Sequence, residues 1–184
     1  HRDNTPIMKL EEFLQRNRID RGVWDRAAIE WDLLAAIAED HAAQSERLRD
    51  TAELFARVIQ RLPHVHSVRW RVKDAEHLLE KIVRKRAEGS DKYKDISSKN
   101  YFEVVTDLVG LRALHLFKDN CFDIDSDLRA IWTPVEAPTA YLREGDPQDL
   151  QARFRDRAFE VKSHPAGYRS VHYVCASQPL QRRV

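Results

Sequence analysis

The sequence predicts an α+β fold, on three observations. No Pro or Gly interrupts the segment from Val23 to Leu62, which reads as helix. A period-two stretch, "HVHSVRWRVK", follows it directly. Helical and alternating segments then succeed one another to the end of the chain. Helices first, then strands mixed with helices, predict a mixed sheet flanked by helices, with an N-terminal helical segment.

Each element has its own signal. "MKLEEFLQ" is a short amphipathic helix candidate. Leu48, Ala52, Phe55, Ile59 and Leu62 recur at three- and four-residue spacing and share one helix face, which Pro63 ends. In the next strand His66, Val68, Trp70 and Val72 face one way, and Ser67, Arg69, Arg71 and Lys73 the other. Asp74 is placed to cap the helix "AEHLLEKIVRKRAE", whose buried stripe is Leu78, Leu79, Ile82 and Val83. On another face of that helix stand His77, Lys81 and Arg84. Gly89 closes it. "GSDKYKDISSKN" reads as a mobile loop. "YFEVVTDLVGLRALHLF" reads as a helical turn and then a strand from about Gly110, and Asp119 to Trp132 as a helix. The Pro-rich, charged "TPVEAPTAYLREGDPQDLQARFRD" is expected to be an irregular insertion with a strand near Ala140. "RAFEVKS" and "YRSVHYVCA" supply the last two strands.

Composition narrows the function. With 184 residues, 42% apolar and 33% charged, the chain has length for a real core and a polar surface. Its 31 basic and 30 acidic residues give net charge +1, so any anionic ligand must be met by a local cluster, and a DNA-coating role is disfavoured. No apolar run reaches the roughly 18 residues of a membrane span, and the N-terminus has no signal-peptide pattern. Cys121 and Cys175 make no CxxC, so neither a disulfide framework nor a zinc site is expected, and a cytoplasmic location is. His64, His66, His164 and His172 lack metal-ligand spacing. The P-loop, GxGxxG and GxSxG patterns are absent. "HRDNTPI" opens on His1 and is given no functional weight.

Three constellations could carry chemistry. Between Arg69 and Lys94 stand nine Lys or Arg against five Asp or Glu. Converging cations of this kind suit a multiply charged anion, with a triphosphate the natural candidate. They equally suit a solvated face paired with Glu76, Glu80 and Glu88. In "TDLVGLRAL", Asp107 precedes Gly110 and an apolar strand, where a carboxylate beside phosphates could hold Mg²⁺. Arg112 sits within that strand and calls for a partner or a planar group to stack on. Asp107 capping a turn and pairing with Arg112 is the other possibility. In "GYRSVHYV", Gly167 allows a sharp turn. Tyr168, Ser170, His172 and Val174 then share a face, and Arg169, Val171, Tyr173 and Cys175 the other. The first face could stack on a base and bond a sugar or phosphate, or form an ordinary polar edge strand.

Taken in order, "RVKDAEHLLEKIVRK", "DLVGLRAL" and "GYRSVHYV" resemble the synthetase domain of the RelA/SpoT family, the GTP pyrophosphokinases that make (p)ppGpp. The likeness runs from about Val65 onward. It assigns residues 1–62 to a helical segment packing on the core and 63–184 to the synthetase domain. It implies a nucleotidyltransferase-like fold with a mixed five-stranded sheet, and transfer of the β,γ-pyrophosphate of ATP to the 3′-hydroxyl of GTP or GDP with Mg²⁺ required. By the resemblance, Arg71 and Arg112 flank adenine, while Lys73, Lys81 and Arg84 grip the ATP phosphates. Asp107 binds Mg²⁺, Tyr168 stacks on guanine and His172 faces the acceptor's phosphates. The family usually has Ser at the position of His77 and often Lys at that of His164. Its E-x-Q-[IV]-R-T motif, with a catalytic Glu, would fall beyond Val184. The sequence therefore reads as C-terminally truncated, and a polypeptide ending there is expected to be inactive. No catalytic residue is assigned within it. No hydrolase His–Asp pair is found in the first sixty residues. Relatives acting on adenosine nucleotides or tRNA 3′ ends, or a non-catalytic nucleotide- or RNA-binding module, are the competing readings. ATP and GTP or GDP are the expected partners, with no membrane or DNA and a possible homo-oligomer.

Overall fold

The computed structural model describes residues 9–176. It is α+β, with eight α-helices and five strands among the described residues. The helices are α1 (Leu10–Arg16), α2 (Arg21–Ala27), α3 (Trp31–Ala43), α4 (Ser45–Gln60), α5 (Ala75–Ala87), α6 (Tyr101–Val104), α7 (Asn120–Ile131) and α8 (Gln148–Asp156). The strands are β1 (Ser67–Val72), β2 (Val109–Leu114), β3 (Thr139–Leu142), β4 (Glu160–Ser163) and β5 (Ser170–His172). They form two sheets: β1 with β2, and β4-β3-β5 with β3 central. The five-stranded sheet implied by the resemblance is thus divided in two among these residues, because each strand finds its partners only within its own group.

The described residues form two compact units, one comprising residues 9–56 with Arg69–Arg112, the other Arg57–Val68 with residues 113–176. No described helix is long and apolar enough to cross a membrane.

The core of the first unit is helical. Phe13, Leu14, Ala27, Leu34 and Ile37 pack with the α5 stripe Leu78, Leu79, Ile82 and Val83. That stripe is set by the 3.6-residue period, and α5 starts where the sequence places it, since the Asp74 carboxylate accepts from the His77 backbone N–H at 3.0 Å. The segment after Gly89 is not a loose loop. It forms a 3₁₀ turn at Asp91–Tyr93 and buries Tyr93 and Ile96. Arg86 holds it from α5, donating to the carbonyls of Tyr93 and Lys94 and to those of Ala27 and Ala28. The polar composition hid two apolar anchors, and the guanidinium satisfies carbonyls that would otherwise go unpaired.

The second unit is built on the three-stranded sheet. β3 runs parallel to β4, with Tyr141 opposite Lys162, and antiparallel to β5, with Tyr141 opposite Ser170. Period two then sends Ala140, Leu142, Val161 and Val171 to one face, where they pack with Phe122, Leu150, Phe154 and Phe159. Helix α8 corrects the expectation of an irregular insertion. Pro147 stands just before its first turn, where no N–H is needed. Leu150 and Phe154, four residues apart, are its buried face. The Phe154 ring lies 4.8 Å from Phe122 and 5.3 Å from Phe159.

Two buried carboxylates tie this unit together. Asp125, 1% exposed, accepts from Arg129, Arg157 and the Tyr173 hydroxyl. Burial, with Asp125 alongside, pushes the Tyr173 phenol far above its ordinary pKa. Asp146 accepts from the Arg143 backbone N–H and, through both oxygens, from the Arg169 guanidinium, the shortest contact being 2.6 Å. The bonds from Arg169 hold its carboxyl well below the usual range against the opposing effect of burial.

Two outcomes follow for stability. Phe154→Ala should cost about 3–5 kcal/mol in urea unfolding, as for a large core aromatic; a loss under about 1 kcal/mol would mean α8 is not part of the core. Asp146→Asn should cost about 2 kcal/mol near neutral pH. Because the folded-state pKa is depressed, this contribution is full above the unfolded value near 4 and fades as pH falls below it. Unfolding curves of the two proteins should therefore converge in acid.

Candidate nucleotide site

The first group of candidate residues lies in the first unit. The backbone carries Lys73 just past β1, Lys81 on the second turn of α5 and Asp107 just before β2. Lys81 Nζ donates to one Asp107 oxygen at 2.8 Å, and Lys73 Nζ lies 3.1 Å from the other. Burial raises the Asp107 pKa, but the two ammonium groups outweigh it and hold the carboxyl below its usual range. Two cations on one carboxylate leave an excess positive charge at a partly buried point. The two lysine side chains are 13% and 21% exposed, against 39% for Asp107.

Lys73 is braced from behind. Its backbone N–H donates to Leu108 O at 2.8 Å, which sets the end of β1 against the start of β2. Its carbonyl is 2.6 Å from Nε2 of His41, a fully buried residue of α3 whose Nδ1 has no hydrogen-bond partner. Sequence reasoning gave His41 no role, because nothing in the pattern of α3 links it to a residue 32 positions on.

Arg71 and Arg112 are both exposed, and they share a face of the β1–β2 ribbon. A Cβ built on Gly110 would meet the Arg71 side chain at 3.5 Å, so Gly110 looks toward Arg71. Arg112, two residues on, projects to the same side. Two exposed guanidiniums on one face, with a glycine between them, can receive a flat ring.

The basic cluster therefore divides. Lys73 and Lys81 meet at Asp107, whereas Arg84 pairs with Glu80 at 2.8 Å and Lys85 with Glu88 at 2.6 Å, each a neighbour three or four residues away in the chain. His77 pairs with Asp74. The shared helix face of His77, Lys81 and Arg84 is thus not a shared site in this structure. Asp107 takes the two lysines rather than the Arg112 offered by the sequence.

Mg²⁺ fits this donor set in one way only. Among the described residues, no three His, Cys, Asp or Glu groups gather into a cage. Asp107 would offer a single hard oxygen ligand beside two cations, a donor set that Mg²⁺ could use only if substrate oxygens and water completed it.

The second group lies in the second unit. Gly167 has φ +67°, a conformation that favours glycine, and it delivers Tyr168 to the surface, 67% exposed. Val171 and Tyr173 pack inward against the core, as the alternation requires. On the outer face Ser170 Oγ lies 3.0 Å from His172 Nε2. Rings continue from there. Tyr141 on β3 is 5.0 Å from His172 and 5.5 Å from His164, and His164 is 5.4 Å from Tyr168. Tyr141 was missed in the sequence because its neighbours read as an irregular insertion; its place beside Ala140 on a strand was the available signal.

The motifs described above fall within a known protein family's region. A family model described as a region found in RelA / SpoT proteins matches residues 70–184. Comparison with curated proteins and with solved structures finds no match. The match takes in the Lys73–Lys81–Asp107 cluster, the paired arginines and the ring-lined face of β5, and it covers more than half of the chain: this chain belongs to the RelA/SpoT family.

Proposed function

We propose that this protein is a GTP pyrophosphokinase, moving the β,γ-pyrophosphate of ATP to the 3′-hydroxyl of GTP or GDP. The observation that carries the reading is the Lys73–Lys81–Asp107 cluster beside the Arg71–Arg112 face. Together they offer a seat for a ring, for a chain of phosphates and for one divalent cation. Family membership supports pyrophosphotransfer in general, with Mg²⁺ as the usual metal.

In this reading the ring of ATP lies between Arg71 and Arg112. Lys73 and Lys81 exchange Asp107 for phosphate oxygens, which frees the carboxylate to hold Mg²⁺; Arg84 leaves Glu80 to join them. The metal supplies charge neutralisation on the phosphates. Tyr168 stacks on guanine and His172 faces the acceptor's phosphates. The acceptor's 3′ oxygen forms a bond to the β-phosphorus, the bond from that phosphorus to the α,β-bridging oxygen breaks, and AMP departs. The 3′-hydroxyl proton goes to a general base. Such chemistry asks for positioning and charge stabilisation more than for covalent intermediates.

Full-length protein, with any residues after Val184, should convert γ-labelled ATP plus GDP or GTP into a new labelled guanine nucleotide on thin-layer chromatography, and EDTA should abolish it. Label appearing only with AMP or tRNA as acceptor would replace the substrate assignment, and no transfer to any acceptor would overturn the reading. Lys81→Ala should lower kcat/KM by roughly 10²-fold, as when one transition-state charge partner is removed. Steady-state rates that fall less than about twofold would take Lys81 out of the site.

A further inference from the structure

We infer that Tyr141, Arg143 and Asp146, on β3 and the turn after it, are positioning residues that hold the acceptor face formed by His164, Tyr168 and His172. The inference rests on the reading of Tyr168 and His172 as acceptor-binding residues.

Three residues of this one short segment bear on the face, Tyr141 through its rings and Arg143 and Asp146 through the chain on either side of Tyr168. The Tyr141 ring meets His172 at an interplanar angle of 63° and His164 at 78°. Edge-on contacts of this kind wedge the two imidazoles apart instead of extending a flat platform. His164 is also fixed from its own side, since its Nδ1 accepts from the Ala166 backbone N–H at 3.0 Å. Its ring in turn meets Tyr168 at 66°.

Arg143 Nε donates to Gly167 O at 2.7 Å. That carbonyl belongs to the peptide joining Gly167 to Tyr168. The bond therefore sets the plane from which the Tyr168 side chain springs. Gly167 N–H closes the turn onto His164 O at 2.9 Å.

Asp146 grips Arg169 through both oxygens, and it lies 3.7 Å from Lys118. Arg169 directly follows Tyr168, so the clamp on its side chain holds the chain on the far side of Tyr168. The clamp matters because Tyr168 is largely exposed and little packs against its outer side. Its aim comes from the backbone on either side of it, and residues 141–146 hold both sides.

An exposed ring held in its binding orientation spends less ordering entropy when a base arrives. Loss of the brace should therefore appear as weaker acceptor binding, about tenfold for a side chain's worth of ordering. The ATP side should be unaffected. A loss of uniform binding raises KM with kcat unchanged.

The test uses full-length protein and measures KM for acceptor and for ATP separately. Arg143→Gln and Tyr141→Leu should each raise the acceptor KM about tenfold, with kcat and the ATP KM within about twofold of wild type. Tyr141→Phe keeps the ring and should return the acceptor KM to the wild-type value. An unchanged acceptor KM, or a parallel rise for ATP, overturns the inference. A second readout does not depend on turnover. Proton–carbon spectra of the imidazoles, assigned with His164→Gln and His172→Gln, should show the His164 signal displaced in Arg143→Gln, which removes no ring. An unmoved signal overturns the brace even in an active enzyme. A displaced signal in a protein that transfers pyrophosphate to no acceptor upholds the brace and removes the function assigned to the face.

Discussion

A carboxylate drawn wholly or partly out of water has to be met by donors, and this fold is organised around three such groups. Asp125 draws Arg129 and Arg157 together with the Tyr173 hydroxyl. Asp146 joins the turn after β3 to Arg169. Asp107 joins the end of β1 to α5. Each carboxylate links segments that are distant in sequence, so each fixes a piece of topology that apolar packing alone would leave loose. The apolar clusters supply the driving force, and the carboxylates select the register. Asp125 and Asp146 are nearly closed off, whereas Asp107 remains partly open.

That difference separates architecture from chemistry. A sealed ion pair with every oxygen satisfied has little to exchange. Among the described residues Asp107 has two ammonium groups for company, and it is 39% exposed, so its partners can be redistributed. The phosphate-binding reading depends on this openness and on the arginines nearby, not on the raw number of basic residues. Arg84 and Lys85 show the contrast, since each pairs with a carboxylate only three or four residues away in the chain.

Much of this was legible in the chain itself. The stripe on α5, its Asp74 cap and the alternation of β1 and β5 rest on local periodicity, and local periodicity survives folding. The order of the three motifs pointed to the family. Other features were not local. Helix α8 was masked by Pro147 and by flanking charge, although Leu150 and Phe154 carry its apolar face. The segment after Gly89 looked loose because its anchors, Tyr93 and Ile96, are sparse and its clamp, Arg86, comes from another element. His41 acts across 32 residues, so only the fold reveals it, and Tyr141 acts across a strand pair, with its place beside Ala140 the one hint in the chain.

The Lys73–Lys81–Asp107 triple also bears on how this protein meets salt. A bare cluster of ammonium groups would be dressed in mobile anions from solution, and a phosphate ligand would displace them into the bulk. Here the counter-ion is covalently part of the chain. In the proposed reading, binding becomes an internal ion exchange, in which a tethered carboxylate is traded for a visiting phosphate. Fewer free ions are released, so the affinity of this site should respond to ionic strength less steeply than its count of cations suggests.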